Sequence, residues 1–257
     1  MTGCAGGGPP EVIGVGEGRS WRHETWRFTG SRGDVVFAEA WLAPDPGPVV
    51  VVGHGAEGDR RAPYVSGSGK GWARRGLSVV AADAPRHGDR ADPHPLPEVI
   101  GADRDLLEWW VADHRIVLDV AAARAGGAPI GYLGVSMGAL FGVHLAAGDD
   151  RVAAAVLAVG GSTRVATPER FGAETSARVA GDLEVTDPAV AARRVRCPVL
   201  MLQADRDEVF SRESAFALYD AFECRKEIAF LPGTHAEWRH PAQWNRRMRG
   251  FFEDVLA

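Results

Sequence analysis

Three positions in this chain, far apart along it, carry the side-chain types that acyl-transfer chemistry needs. The pentapeptide Gly134-Val135-Ser136-Met137-Gly138 follows the apolar run Ile130-Gly131-Tyr132-Leu133 and opens the small-residue stretch Ala139 to Ala147. A serine on a sharp strand-to-helix turn holds its hydroxyl clear of both elements, and flanking glycines let the two pass closely. The amino end of the helix also brings unpaired N–H groups and a positive dipole to the place where an oxyanion would develop. A serine hydroxyl is a weak nucleophile at neutral pH, so Ser136 needs a base within hydrogen-bond reach and a group that fixes the base's tautomer. His235, at the end of Leu231-Pro232-Gly233-Thr234-His235, sits directly behind the last predicted strand and is the candidate base. His240 is past that turn, His144 falls inside a helix and His23 precedes the sheet. For the orienting acid, the stretch Met201 to Val209 offers Asp205, Asp207 and Glu208 just beyond the strand starting at Val199. Only one of the three is required.

Those side chains need a scaffold that gathers strand ends. Thr25 to Thr29 and Val35 to Leu42 read as an antiparallel hairpin around Gly30-Ser31-Arg32-Gly33. Six short runs dense in β-branched or aliphatic residues follow: Val49 to Val52, Leu77 to Ala82, Ile130 to Val135, Ala153 to Val159, Val199 to Gln203 and Lys226 to Leu231. Continuous apolar strands predict a sheet covered on both faces. Segments of helical spacing alternate with them, over 63–75, 106–125, 137–147, 214–222 and 241–256. The order predicts an α/β fold with a doubly wound, mostly parallel sheet flanked by helices, whose ligand sites form beyond the carboxyl ends of the strands. The alternation lapses between Gly161 and Arg196, which reads as a short insertion after the sixth predicted strand and a possible small lid. Residues 1–257 are expected to form one domain, with a flexible opening over 1–20.

With the chain order Ser136, Asp207, His235, the sequence resembles the α/β-hydrolase superfamily from about Val49 to the end. The acid of that superfamily usually follows its strand as G-x-x-D-x-x-V; here Ala204 replaces the glycine and Asp207 matches the acid, leaving Asp205 as a solvated neighbour. The turn Gly53-His54-Gly55-Ala56 is similar to the superfamily's His-Gly turn, which implies that the N–H groups of Ala56 and Met137 form the oxyanion hole. His54 itself reads as a structural residue of the turn. The loop Asp83-Ala84-Pro85-Arg86-His87-Gly88-Asp89-Arg90 looks like the superfamily's loop after the next strand, usually structural. The chain looks nearest to the compact esterases around dienelactone hydrolase, although those that name the group carry a cysteine where this chain has Ser136. The resemblance implies a serine hydrolase of carboxylesterase type acting on a small-molecule ester. Thioesterase, lactonase, peptidase or acyltransferase activity would use the same residues, and a ligand-binding protein on this scaffold is the reading from another class.

Composition narrows the partners. The chain of 257 residues has a formal charge of −5 and no long basic run, so a nucleic-acid partner is not expected. Cys4, Cys197 and Cys224 form no C-x-x-C pair, which argues against a disulfide framework and a zinc knuckle. With no metal motif, no metal and no cofactor are expected. Gly67-Ser68-Gly69-Lys70-Gly71 fails as a phosphate loop, because Tyr64 stands where a glycine is needed and Gly71 where Ser or Thr should be. Trp109-Trp110 reads first as core packing and second as acyl-pocket lining. With no apolar h-region and no run of ~18 apolar residues, a cytoplasmic protein without a membrane span is expected. Oligomeric state leaves no mark in the sequence.

Overall fold

The computed structural model describes residues 9–18, 20–92, 96–238 and 241–257. In chain order the elements are β1 (Glu11–Gly18), β2 (Trp21–Thr29), β3 (Val35–Leu42), β4 (Val49–Gly53), α1 (Pro63–Ala73), β5 (Ser78–Ala82), α2 (Arg104–Ala125), β6 (Ile130–Val135), α3 (Met137–Gly148), β7 (Val152–Ala158), α4 (Thr163–Thr186), α5 (Pro188–Ala192), β8 (Val199–Ala204), α6 (Arg212–Ala221), β9 (Lys226–Leu231) and α7 (Pro241–Val255). The strands form one sheet in the order β1-β2-β3-β5-β4-β6-β7-β8-β9. β1, β2, β3 and β5 pair antiparallel; from β5 across to β9 every pairing is parallel.

The parallel part explains the continuous apolar runs. All residues of β4, β5, β6 and β8 are buried, because helices cover both faces and leave no wet side for a polar alternation. One face carries α2, α3 and α6, with Trp110, Phe141 and Leu118 at its centre; the other carries α1 and α7, with Trp72 and Phe252. α7 is amphipathic and buries Trp244, Met248, Phe251 and Phe252, a helical i, i+4, i+7, i+8 stripe. α2 starts where the Asp103 carboxylate accepts the Leu106 N–H at 2.8 Å and stops at Gly126, whose φ of 61° is left-handed. From β4 the chain first moves outward to β5 and then returns to β6 on the other side. The crevice at such a reversal, beyond the carboxyl ends of β4 and β6, is where open α/β sheets place ligands.

Two expectations change, and the first reading of Trp109-Trp110 holds. The opening was expected to be flexible over residues 1–20, yet Glu11–Gly18 pairs with β2 as a further antiparallel edge strand. Its alternation of glycine with Val and Glu hid it, since glycine lowers strand propensity. Residues 1–8, with Cys4, lie outside the described residues. The stretch from Gly161 to Arg196 is mainly helical: α4 carries a break at Gly172 (φ 80°, ψ 179°) and is followed by α5. Trp109-Trp110 is packing: Trp110 is fully buried against Phe141 and Tyr132, and Trp109 lies beneath the guanidinium groups of Arg32 and Arg90. Among the described residues, no helix is long and apolar enough to cross a membrane.

A buried ion network ties the strand loops together. The Arg60 guanidinium, 4% exposed, meets Asp83, Glu39 at 3.2 Å and Asp89 at 2.7 Å. Asp83 also accepts the Arg60 and Asp89 N–H groups, each at 3.0 Å, so one carboxylate pins the loops after β4 and β5 to each other. Arg60→Leu would leave Asp83 without its cation and Glu39 without its guanidinium partner. It should cost about 3–5 kcal/mol of stability, read from the shift in the urea midpoint; a loss below about 1 kcal/mol would show that the network is solvated.

Two buried histidines add a pH dependence. Burial pushes His54 down to about 4 and His114 down to about 3. His114 stacks on Trp110 with ring centroids 3.5 Å apart. An unfolded imidazole titrates near 6.5, so above that pH neither state takes a proton and stability is level. Below it the unfolded chain binds protons that the folded chain refuses. Stability should therefore fall as pH drops from about 6.5 toward 4, by roughly 1.4 kcal/mol per pH unit for each histidine. Urea midpoints between pH 7.5 and 4.5 measure this, and a flat profile over that window would contradict it.

Candidate active site

Ser136 stands between β6 and α3 with φ 51° and ψ −113°. Among the described residues only Arg86 and Val159 share a positive φ without being glycine. The conformation costs on the order of 1–3 kcal/mol and persists only where neighbours over-determine it. Here they do. The Ser136 N–H donates to Ala158 O at 2.9 Å, and the Ser136 carbonyl accepts the N–H groups of Ala139 and Leu140 at 2.8 and 3.0 Å. A Cβ on Gly134 would lie 2.4 Å from Gly138 O, and one on Gly138 would lie 2.1 Å from Gly53 O. Both motif glycines are thus needed for close approach, as the spacing predicts. The Ser136 hydroxyl does not cap α3 and stays available to a partner.

That partner is His235. Ser136 Oγ lies 2.9 Å from His235 Nε2, although the two are 99 residues apart in the chain. On the far side of the ring, Nδ1 lies 3.0 and 3.1 Å from the two Asp207 oxygens. The Asp207 side chain is 2% exposed and that of His235 15%. Asp207 Oδ1 further accepts the N–H groups of Val209 and Phe210 at 2.8 and 2.9 Å, which fixes the carboxylate by backbone bonds. The three residues singled out by sequence are therefore in contact with one another.

The other two carboxylates of this cluster hold the histidine loop by its backbone. Asp205 Oδ1 accepts the Gly233 N–H at 3.0 Å, and Glu208 Oε2 accepts the His235 N–H at 3.0 Å. Asp205 is thus a tether as well as a solvated neighbour. Phe210 tilts against the His235 ring at 5.7 Å, and Trp238 stacks on buried Trp244 at 4.5 Å. Sequence reading missed these supports. Two extra acids beside Asp207 were the visible signal, but which backbone they reach depends on a turn 28 residues further on.

The turn after β4 comes against Ser136: a Cβ on Gly55 would sit 3.6 Å from Ser136 Cβ. Its conformation is held by side chains from elsewhere. His54, neutral by burial, donates from Nδ1 to Gly55 O at 2.8 Å and accepts the Ala84 N–H at Nε2, 3.0 Å away, so its role is structural. His87 places Nε2 2.9 Å from Ala56 O and Nδ1 2.7 Å from Pro85 O. The Gly55 N–H donates to the Tyr64 hydroxyl at 2.8 Å. Met137 is the first residue of α3, and the first N–H groups of a helix have no carbonyl partner within it. Arg90 is structural: it is 4% exposed and pairs with Asp34 and Asp113 at 2.7 Å. Among the described residues no three His, Cys, Asp or Glu side chains converge to hold a metal ion.

Comparison with known proteins places this architecture. No curated protein matches the chain. Among solved structures, a cold-adapted esterase from an Arctic intertidal metagenomic library, in complex with polyethylene glycol, is similar with TM-score 0.74 and 23% identity, covering 96% of this chain and 100% of that one. The acetyl xylan esterase from Paenibacillus sp. R4 gives 0.78 and 20%, covering 96% and 88%. Acetyl xylan esterase 1 from Thermoanaerobacterium sp. JW/SL YS485 gives 0.74 and 19%, covering 93% and 86%. At these identities the likeness establishes the α/β-hydrolase fold. The model of the dienelactone hydrolase family matches residues 36–236, a span that runs from β3 through His235. The chain belongs to the dienelactone hydrolase family and is an ester-cleaving hydrolase of carboxylesterase type.

Proposed function

We propose that the protein cleaves small to medium carboxylic esters through an acyl-enzyme on Ser136, with His235 as base and Asp207 as the acid that orients it. The observation that carries this reading is the continuous relay Asp207–His235–Ser136, with contacts of 3.0 and 2.9 Å. Ser136 Oγ attacks the ester carbonyl carbon while His235 Nε2 takes its proton, and the carbonyl oxygen becomes an oxyanion facing the N–H groups of Ala56 and Met137. Collapse expels the alcohol, which leaves with the proton from Nε2. Water then repeats the sequence on the acyl-enzyme and releases the acid. Asp207 accepts the Nδ1–H throughout, holds the productive tautomer and stabilises the imidazolium.

Labelling with a fluorophosphonate tests the nucleophile. One adduct should form on the wild type and none on Ser136→Ala; an unlabelled wild type, or a labelled variant, would sink the assignment. Hydrolysis of nitrophenyl esters of graded chain length, with thioesters and anilides alongside, sets the substrate class. Two of the similar structures are named acetyl xylan esterases, so acetyl esters belong in the panel. The acid is tested by a pair of variants. Asp207→Asn favours the wrong tautomer and should lower kcat on the order of 10³–10⁴-fold. Asp205→Asn keeps an oxygen for the Gly233 N–H and should do far less. Equal effects would show that the acid is misassigned.

A further inference from the structure

Tyr64 lies in the first turn of α1, partly buried, with its ring tilted toward Trp238 at 6.1 Å. Its oxygen accepts the Gly55 N–H at 2.8 Å. A phenol also has one hydrogen to donate. That hydrogen meets no acceptor among the described residues. Donors shielded from water are usually paired, so an unspent one asks for a reason. The hydroxyl's place supplies it. The oxygen lies 3.8 Å from the point a Cβ on Gly55 would occupy, and Ser136 Cβ lies 3.6 Å from that same point. The phenol and the Ser136 side chain thus border the same turn at Gly55, the residue before Ala56.

We propose that the Tyr64 hydroxyl is a third hydrogen-bond donor to the oxyanion, beside the N–H groups of Ala56 and Met137. This rests on the acyl-enzyme reading above. The bond from Gly55 fixes the phenol before substrate arrives, so no reorganisation is needed when charge develops. Accepting that N–H also polarises the O–H bond and strengthens it as a donor. Burial pushes the phenol up to about 12, so across the working range it offers a hydrogen and carries no charge. One side chain thus orients the oxyanion turn through its lone pair and contributes to the site through its proton.

Two kinds of substitution separate the roles. Tyr64→Phe removes both bonds while keeping the ring against Trp238. It should lower kcat roughly 10- to 100-fold with KM little changed, and weaken a trifluoromethyl ketone transition-state analogue by a similar factor. Replacing Tyr64 with 3-fluorotyrosine makes the hydroxyl a stronger donor and a weaker acceptor. A donor role predicts that kcat/KM and ketone affinity hold or rise; a role confined to receiving the Gly55 N–H predicts that both fall.

A fall with 3-fluorotyrosine, or Tyr64→Phe within twofold of wild type on both measures, overturns the proposal. If Tyr64→Phe does not fold, the fluorinated protein decides alone. Failure of the underlying reading looks different, because the wild type would then resist fluorophosphonate, whereas failure of this proposal leaves Ser136 labelled and turnover insensitive to Tyr64.

Discussion

Gly138, in the first turn of α3, passes so close to β4 that one added carbon would lie 2.1 Å from the Gly53 carbonyl oxygen. Gly134 pairs with Gly53 in the β4–β6 register, and a Cβ on it would lie 2.4 Å from the Gly138 carbonyl oxygen. Three backbones are therefore packed where side chains would ordinarily hold them apart. The consequence runs outward from that contact. To enter α3 at this separation, the chain must turn within one residue, and Ser136 takes the positive φ. The same closeness brings the turn after β4 over the amino end of α3, so Gly55 faces the Ser136 side chain. The serine's strain and the position of the proposed oxyanion donors follow from one packing constraint.

The two halves of the cleft are held differently. The Ser136 side is clamped by backbone, between the Ala158 carbonyl and the first turn of α3. The His235 side lies beyond the edge strand β9, where two backbone bonds, Arg206 N–H to Gly233 O at 3.2 Å and Thr234 N–H to Glu237 O at 2.9 Å, are supplemented by side chains: Asp205 at Gly233, Glu208 at the His235 N–H, and the Trp238–Trp244 stack. Side-chain tethers at a sheet edge are easier to open than a buried ladder. At that edge the carboxylates of Asp205 and Glu208 hold the proposed base in line by its backbone.

How much of this was legible depended on whether a residue acts through its type or through its neighbours. The convergence of Ser136, His235 and Asp207 could be expected because each proposed role needs a particular side chain behind a particular strand, and strands announce themselves by apolar runs. The glycines of the motif were legible for the same reason. Tyr64, His87, Asp205 and Glu208 act on backbone atoms of distant turns, and neither pattern nor spacing records which turn will come near. β1 was missed because its glycines blur the alternation, and α4 because Pro168 and Gly172 interrupt a helix that tertiary packing nevertheless forms.

As the proposed nucleophile, a serine at this position makes a stricter demand on its surroundings than a thiol would. A thiol is partly ionised near neutral pH, whereas an alcohol must lose its proton as it attacks and needs a base aligned at that moment. The relay meets that demand by immobilising every member. Asp207 is held by two backbone N–H groups, the imidazole lies between Asp207 and Ser136, and its main-chain N–H is held by Glu208. The three acidic residues of one short loop thus divide their work. One faces the ring, and the other two fix the chain that carries it, so ring and backbone are oriented from the same rigid turn. Proton transfer to a fixed acceptor avoids the cost of bringing it into line, and for a nucleophile as weak as an alcohol that alignment is where the protein has most to contribute.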